Sequence, residues 1–358
     1  MSTLFEPLRL RGMQLRNRIA VSPMCQYSSI DGFAGDWHLV HLGSRAVGGA
    51  GLVLTEATAV TPDGRISPQD LGIWKDEQIE ELARIALFVR EQGAASGVQL
   101  AHAGRKASHA PPFEGGRRLS PEDGGWAEVY APSPVSHREG APPPRELSLE
   151  GITGVVEAFA AGAERAVEAG FDSVELHFAH GYLVHEFLSG ISNRRDDAYG
   201  GGFDGRTRLA REILDAVRAR VPERIAVLVR LSATDWVDDP AGWTPEETVE
   251  LSRLLRDGGA DLIDCSSGGV STAQAVDSGA GYNTPFAERV RREADVPSGA
   301  VGEITTAAQA EHILRTGQAD LVLLARELLR RPYFPLAAAA ELGVDLEWPK
   351  QYRRAKRS

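Results

Sequence analysis

The chain has 358 residues, of which 42% are hydrophobic and 25% are charged, and its formal net charge is -11 at pH 7. This composition is that of an ordinary globular protein, and the acidic balance argues against nucleic acid or an anionic membrane as a partner. No segment is apolar enough to be a signal peptide or a membrane span, and only two cysteines, Cys25 and Cys265, occur, so we expect a reduced, cytoplasmic protein without a disulfide framework.

Eight short segments are typical of buried parallel strands, because each is rich in Val, Leu or Ile and is bounded by Gly, Pro, Asp or Ser. In chain order they are residues 18–24, 51–57, 96–101, 172–177, 225–231, 260–265, 298–302 and 320–325. Apolar residues recur with the helical period in residues 77–92 and 152–169, between consecutive strands. Residues 244–247, TPEE, indicate a helix N-terminus, with a threonine cap, proline at the first position and acids in the first turn.

Eight β/α units predict an α/β protein with a closed (β/α)8 TIM barrel. The alternative, an open doubly wound sheet, predicts a glycine-rich turn after the first strand. The sequence there is SPMCQYS, which contains no glycine. A bare barrel needs roughly 250 residues, so about a hundred belong to insertions. The largest is residues 102–150 in the third βα loop, for which we expect a lid or capping role. We expect one domain over residues 1–358, with a C-terminal tail at 344–358.

Candidate catalytic residues follow the fourth strand, in the stretch FDSVELHFAHGYL at residues 171–183. It begins with strand alternation and ends with His177, His180 and Tyr182. Active sites of TIM barrels lie at the C-terminal ends of the strands, so these side chains are placed at the catalytic edge. The alternative is that they are ordinary loop residues bonded to water or backbone.

Other strand ends contribute a cation and small residues. Alternation places Gln99 and Arg230 on the inner face of the barrel, where an arginine is costly unless it meets an anion or a ring dipole. A buried ion pair with a carboxylate such as Glu175 is the alternative. Gly302 and the pair Ala325–Arg326, after the last two strands, are typical of the phosphate position of these barrels.

These features belong to a set of motifs that covers nearly the whole chain, each at a predicted strand end. In order they are Ser22-Pro23-Met24-Cys25 with Tyr27, Glu56-Ala57, Gln99 to Lys106, His177 to Ser189, Ser192-Asn193-Arg194, Asp264 to Gly268, and Ala325-Arg326-Glu327. Together they resemble the Old Yellow Enzyme family of FMN-dependent ene-reductases. The most similar branch contains NADPH dehydrogenases and xenobiotic reductases with a cysteine near the flavin.

The resemblance implies FMN as cofactor and NADPH, or NADH, as hydride donor. It implies that isoalloxazine contacts come from the segment Ser22, Pro23, Met24 and Cys25, from the Ala57 backbone, from Gln99 at the pyrimidine edge and from Arg230 near N1 and O2. The phosphate would be held by Gly302, Ala325 and Arg326. Cys25 would tune the redox potential, whereas we expect Cys265 to be a small buried hydrophobe.

The resemblance also implies a reaction, the ping-pong reduction of activated alkenes such as enones, enals, maleimides and nitroalkenes. His177 and His180 would donate N–H groups to the substrate carbonyl, hydride would pass from flavin N5 to the β-carbon, and Tyr182 would protonate the α-carbon. Tyr27 and Lys106 would contact the ligand. Arg354 would reach the active site of the neighbouring subunit in a homodimer or homotetramer.

Two other functions remain open at this point. A metal-dependent barrel hydrolase or lyase could use His177, His180 and Glu175, although the strand ends lack the cluster of His and Asp ligands that such sites gather. A flavin-binding protein without turnover is the third possibility. Related dienoyl-CoA reductases are disfavoured, because this chain has no cysteine cluster for an iron–sulfur centre.

Overall fold

The computed structural model describes residues 2–356, which contain a closed parallel barrel of eight strands. The strands in chain order are β1 (Leu8–Leu10), β2 (Met13–Leu15), β3 (Ile19–Val21), β4 (Leu52–Ala59), β5 (Ala95–Ala101), β6 (Tyr130–Ala131), β7 (Arg145–Glu146), β8 (Ser173–Phe178), β9 (Ala226–Ser232), β10 (Leu262–Ser266), β11 (Ser298–Ala300) and β12 (Leu321–Leu324). The barrel runs β3-β4-β5-β8-β9-β10-β11-β12 and closes on itself. The predicted TIM barrel is therefore confirmed.

Helices connect the barrel strands on the outside. They are α1 (Asp36–Val47), α2 (Ile79–Glu91), α3 (Leu149–Glu168), α4 (Leu183–Leu188), α5 (Phe203–Arg220), α6 (Pro245–Asp257), α7 (Thr284–Glu293), α8 (Ala307–Arg315), α9 (Arg326–Arg330) and α10 (Phe334–Glu341). The predicted N-terminus of α6 is confirmed, because the Thr244 hydroxyl accepts from the Glu247 N–H at 3.2 Å. None of the helices in residues 2–356 is long and apolar enough to cross a membrane.

Side chains point alternately to the two faces of each barrel strand, and the apolar ones therefore form two separate layers. The larger one packs the outward side chains of the strands against the helices. The smaller one fills the barrel interior, where Ala226 and Leu228 lie on the same face of β9 as Arg230. Side chains of the β1–β2 hairpin, including Leu10 and Leu15, belong to this interior cluster and close the N-terminal end of the barrel. The hairpin closes the N-terminal end of the barrel, so the end that remains open is the one where the carboxyl ends of the strands carry polar residues.

Two features differ from the sequence predictions. The β1–β2 hairpin was not predicted, because its strands have only three residues each and occupy a segment rich in arginine. The first predicted strand, residues 18–24, is cut short at Val21. Residues 22–25 therefore follow the strand without regular secondary structure.

The insertion at residues 102–150 contains the two-residue strands β6 and β7, which pair in parallel, and three single-turn 3-10 helices. The rest of it, up to the start of α3, is irregular. It is anchored to the barrel by the Arg65 guanidinium, which lies 5.0 Å from the Trp74 ring and 5.3 Å from the Trp126 ring. Arg105 adds a second anchor by donating to the carbonyls of Val135 and Val270. The insertion is thus fixed beside the open end of the barrel by a cation sandwiched between two aromatic rings.

Candidate active site

Two cavities open at the carboxyl ends of the strands. The first has a volume of about 270 Å³ and is lined by Pro23, Cys25, Tyr27, Ala57, Gln99, His177, His180, Tyr182 and Arg230. The second has a volume of about 420 Å³, and its lining includes Ser266, Asn283, Gly302, Ala325 and Arg326. Of the predicted site residues, Ser22 lies buried beneath the first cavity and Met24 packs against the core. The predicted ring and phosphate residues therefore fall into two separate groups, as the resemblance implies.

The catalytic candidates lie at the end of β8 and on the turn that follows it. His177 is the second-last residue of that strand, and its Nδ1 accepts from the Ala179 N–H at 3.3 Å. His180 adopts a left-handed backbone with φ of 61°, which carries its ring back over the cavity. As a result His180 Nδ1 lies 3.3 Å from His177 Nε2, and the Tyr182 ring centroid lies 5.0 Å from that of His177. The two facing ring nitrogens and the Tyr182 ring thus lie together at the wall of the first cavity.

Burial sets the protonation of these three groups. It lowers the pKa of both imidazoles well below the usual value, and the nearby Arg230 guanidinium lowers both further. Each ring is therefore neutral at pH 7 and carries one proton. Burial also raises the pKa of the Tyr182 phenol well above its usual value. The site consequently holds a protonated phenol beside two neutral imidazoles.

Lys106 lies beside the catalytic candidates. Its Nζ donates to the His180 carbonyl at 2.8 Å and to the Gly269 carbonyl at 3.3 Å, and lies 4.9 Å from the centroid of the Tyr182 ring. Burial lowers the pKa of the ammonium group to about 8. Lys106 thus ties the catalytic turn to the loop after β10, and its predicted contact with a ligand stays a prediction.

Arg230 is buried and has a carboxylate partner, but the partner is Asp264 and not Glu175. Arg230 Nε lies 3.0 Å from Asp264 Oδ2, although the N–H does not point at that oxygen, and Arg230 Nη2 donates to the Ser22 hydroxyl at 3.0 Å. Glu175 instead accepts from Gln99 Nε2 at 2.7 Å. The guanidinium is therefore charge-balanced but incompletely hydrogen-bonded at the wall of the first cavity.

Glu175 makes the stability of the protein depend on pH. Burial, followed by the neighbouring Asp264 carboxylate, raises the pKa of Glu175 to about 8. The pKa of a glutamate in the unfolded chain is about 4.3, so the folded state binds more protons between these two values, and stability falls as the pH rises from about 4.3 to about 8. We expect Glu175→Gln to reduce this decline, by at most about 1.4 kcal/mol per pH unit.

The measurement is the free energy of unfolding in urea at pH 5 to 8. Glu80→Gln, at an exposed position of α2, is the matched control and should keep the decline of the unchanged protein. An identical decline in the Glu175 variant would show that this carboxyl ionises normally when buried.

Cys25 is a neutral thiol in this environment. Burial raises the pKa of Cys25 well above its usual value, and the Asp70 and Glu56 carboxylates raise it further. Asp70 is itself buried, and its Oδ2 accepts from the Ile66 N–H at 2.6 Å. Cys25 and Cys265 are both free thiols. Cys265 is fully buried in the apolar layer behind the strands, where a small hydrophobe was expected.

The second cavity is built from backbone and amide groups. Gly302 has φ of 117°, which a side chain rarely adopts, and lies against Tyr282 and Asn283. Asn283 is buried, and its Oδ1 accepts from the Ser267 hydroxyl at 2.7 Å, whereas its Nδ2 has no hydrogen-bond partner among residues 2–356. Arg326 is exposed and lies 3.3 Å from Glu303.

Asn283 and Ser266 are candidate binding residues that the sequence predictions missed. Asn283 resembles a helix-capping residue ahead of Pro285, and Ser266 is one of two serines in a row. Only the fold places them in the cavity.

This cavity fits a bound phosphate ester such as FMN. An unpaired amide N–H that is buried costs free energy unless a ligand accepts from it, and Asn283 Nδ2 is such a donor. Gly302 leaves its backbone open to close approach, and Arg326 supplies a cation at the rim. In the first cavity the incompletely bonded Arg230 fits an electron-rich ring edge. The two donor sets therefore suit the two ends of FMN.

We expect Gly302→Ala to raise the dissociation constant of FMN at least about fivefold. An added Cβ would lie 3.0 Å from the Tyr282 ring and 3.1 Å from Asn283 Nδ2, in a backbone conformation that strains alanine. Quenching of flavin fluorescence during titration of the apoprotein gives the constant. Gly279→Ala is the matched control, because its Cβ meets nothing within 4 Å. Equal affinities in the two variants would contradict the assignment.

Arg354 lies far from these cavities in sequence, on the short 3-10 helix Lys350–Ala355, and it is exposed. The neighbouring Arg353 pairs with Glu347 at 2.7 Å, and the Tyr352 ring packs on Tyr333 at 6.1 Å. The predicted reach of Arg354 into another subunit stays a prediction.

Comparison with known proteins places the chain among flavin-dependent oxidoreductases. An NADPH dehydrogenase of Geobacillus thermodenitrificans (strain NG80-2) is 48% identical over 358 residues, which cover 99% of each chain. Morphinone reductase is 28% identical with a TM-score of 0.78, over 98% of this chain and 92% of that one. An old yellow enzyme homologue from Zymomonas mobilis is 26% identical with a TM-score of 0.77, over 97% and 94% of the two chains. The resemblance to the Old Yellow Enzyme family is thereby confirmed.

A family sequence model agrees with these relatives and matches residues 3–344. The predictions of an oxidoreductase, of FMN and of a nicotinamide hydride donor are confirmed. The alternative of a metal-dependent hydrolase or lyase is not favoured by any of these similarities. The chain belongs to the NADH:flavin oxidoreductase / NADH oxidase family.

Proposed function

We propose that this flavin oxidoreductase reduces the carbon–carbon double bond of activated alkenes, with NADPH as its hydride donor. The substrates are α,β-unsaturated ketones and aldehydes, maleimides and nitroalkenes. The observation that carries the proposal is the 3.3 Å separation of His177 Nε2 and His180 Nδ1 in the first cavity, beside the Tyr182 ring. One carbonyl or nitro oxygen that faces both nitrogens from the cavity can accept a hydrogen bond from each.

The protein residues have distinct parts in this reaction. FMN, when bound, supplies the hydride-transfer chemistry. The two imidazoles orient the substrate oxygen and stabilise the negative charge that develops on it, and because both rings are neutral they do so as hydrogen-bond donors. The Tyr182 phenol holds a proton at neutral pH and can give it to the carbanion-like α-carbon. Arg230 would hold the electron-rich edge of the flavin, as its buried charge suits.

An anaerobic experiment tests the proposal. The FMN-loaded protein is reduced with one equivalent of NADPH and mixed with cyclohex-2-enone, and flavin absorbance is followed. We expect prompt reoxidation and formation of cyclohexanone. Cyclohexanone itself is the matched control, since it has the carbonyl oxygen but no double bond. Reduction by NADPH with no reoxidation by any activated alkene would contradict the proposal and leave a flavoprotein with another acceptor.

We propose further that the protein is a cytoplasmic homodimer or homotetramer in which Arg354 completes the neighbouring active site. Arg354 is exposed and has no ion-pair partner among residues 2–356, whereas Arg353 is engaged with Glu347. Two unpaired cysteines fit a reduced compartment.

We expect Arg354→Ala to raise the KM for the alkene about tenfold, because one charge-assisted contact with the substrate is lost. Arg353→Ala should change this KM little. Steady-state kinetics with cyclohex-2-enone measure both. A complementation experiment tests the subunit exchange directly. The Arg354→Ala protein and the Tyr182→Phe protein are mixed, unfolded and allowed to reassociate. We expect activity to be restored, because a mixed assembly contains one active site that has both Tyr182 and the Arg354 of the other subunit. Absence of this complementation would place Arg354 outside the active site.

A further inference from the structure

The ring of His180 has a hydrogen-bond partner on each nitrogen. Its Nε2 lies 2.6 Å from the Ser266 hydroxyl oxygen at the end of β10, and its Nδ1 lies 3.3 Å from His177 Nε2. The Ser266 hydroxyl has no other hydrogen-bond partner among residues 2–356, and Ser266 also lines the second cavity. The hydroxyl is therefore free to act toward His180 either as donor or as acceptor.

The tautomer of His177 is fixed by the backbone. The Ala179 N–H donates to His177 Nδ1 at 3.3 Å, so in the neutral ring the proton must be on Nε2. That N–H points at His180 Nδ1. Whether it meets an acceptor or another N–H there depends on the tautomer of His180 alone.

His180 has two neutral tautomers, and each suits one state of the site. With the proton on Nε2, His180 donates to Ser266 and accepts from His177, so both ring nitrogens are satisfied in the free site. With the proton on Nδ1, two N–H groups face each other at 3.3 Å, which is unfavourable until an oxygen enters and accepts from both. In that second state His180 Nε2 needs a donor, and Ser266 can supply it.

A change of tautomer needs no movement of the residue, and the backbone of His180 is held by hydrogen bonds at both its N–H and its carbonyl. Its N–H donates to the Ser232 hydroxyl at 2.9 Å, and its carbonyl accepts from Lys106 at 2.8 Å. Ser232 in turn donates to the Gly268 carbonyl at 2.8 Å. A ring flip would also exchange the positions of the nitrogen and carbon atoms that face Ser266 and His177.

We propose that Ser266 is a positioning residue whose hydroxyl reverses its hydrogen bond when a substrate oxygen binds, so that His180 changes from the Nε2–H to the Nδ1–H tautomer. The inference rests on the proposed function. In the exchange one proton leaves Nε2 and one is gained at Nδ1, with water carrying it, so the ring remains neutral throughout. A serine suits this task, because a hydroxyl is both donor and acceptor, whereas a backbone carbonyl or an N–H is only one of them.

The neutrality that this exchange requires agrees with the surroundings of the ring. Burial, then His177, Arg230 and Lys106, lowers the pKa of His180 well below its usual value. An imidazolium would carry both protons at once and would leave nothing to exchange.

The test uses the oxidised holoenzyme labelled with ¹⁵N in the histidine rings, since ring ¹⁵N shifts distinguish the two neutral tautomers. The His180 signals are identified by their loss in His180→Gln. We expect the Nε2–H tautomer in the free holoenzyme and the Nδ1–H tautomer with saturating cyclohex-2-enone, while His177 keeps Nε2–H in both. The same His180 tautomer before and after binding would overturn the proposal.

Two variants separate positioning from folding. Ser266→Ala should leave the tautomer of the free site unchanged and weaken cyclohex-2-enone binding about five- to tenfold, since His180 Nε2 then lacks its donor in the complex. Ser266→Thr keeps a hydroxyl and should restore both affinity and exchange. Equal affinity in the alanine variant and the unchanged protein would overturn the role of Ser266.

Failure of the proposed function has a different signature. In that case cyclohex-2-enone neither binds nor reoxidises the reduced flavin in any variant. The tautomer exchange of His180 is then contradicted together with the proposed function. Normal enone turnover together with an unchanging tautomer would instead overturn the exchange alone.

Discussion

Replacement of Tyr182 by phenylalanine should slow flavin reoxidation by cyclohex-2-enone about 10²- to 10³-fold and leave reduction by NADPH within about twofold. The phenol lies beside His177, with ring centroids 5.0 Å apart, and Lys106 lies 4.9 Å from its ring. Its raised pKa keeps the proton available throughout the neutral range. Only the half-reaction with the alkene consumes this proton, so only that half-reaction should suffer.

Stopped-flow absorbance under anaerobic conditions measures the two half-reactions separately. Tyr130→Phe is a suitable control, because Tyr130 lies on the insertion and its hydroxyl donates to Glu128 at 3.0 Å. Equal losses in both half-reactions of the Tyr182 variant would argue for a general effect on flavin binding and against proton donation.

The barrel could be predicted from the sequence because it depends on local patterns. Each parallel strand is buried on both faces and therefore reads as a short apolar run, and the helices between them show the period of 3.6. The β1–β2 hairpin lacks such a signal. Leu10 and Leu15 face the barrel interior, but each hairpin strand has only three residues and Arg9 lies on the outward side.

The candidate site was predictable where its residues belong to strand ends and unpredictable where it depends on pairings across the barrel. Register explains the partner of Arg230. Asp264 on β10 pairs directly with Arg230 on β9, whereas Glu175 pairs in register with Gln99 on the other side of β8. Both carboxylates lie on strands next to β9, one on each side, and sequence spacing does not indicate which of them the arginine meets.

Ser266 and Asn283 show the same limit. Ser266 reaches His180, 86 positions earlier in the sequence, because β10 and the turn after β8 meet at one end of the barrel. Asn283 owes its place to the close approach of Gly302, whose φ of 117° was not evident from the chain. Polar residues in loops acquire a function only when a rigid scaffold assembles them.

Replacement of Arg230 by methionine should strongly lower the free energy of unfolding. Among residues 2–356, the Arg230 guanidinium is the only cation that touches the buried Asp264 carboxylate. Removing one partner of a buried ion pair costs about 3–5 kcal/mol of stability. The loss should be smaller at pH 5 than at pH 8. Burial raises the pKa of both Asp264 and Glu175, and without the cation these carboxyls remain protonated at low pH at little cost.

A second substitution distinguishes the structural role of Arg230 from its role toward the cofactor. In Arg230→Met with Asp264→Asn no uncompensated charge remains at the pair, so urea unfolding should show stability restored to within about 1–2 kcal/mol of the starting protein. FMN affinity should stay low in this double variant, because the cation beside the first cavity is still missing. If the double variant regains both stability and FMN affinity, Arg230 serves only to neutralise Asp264, and the flavin ring is held by other groups.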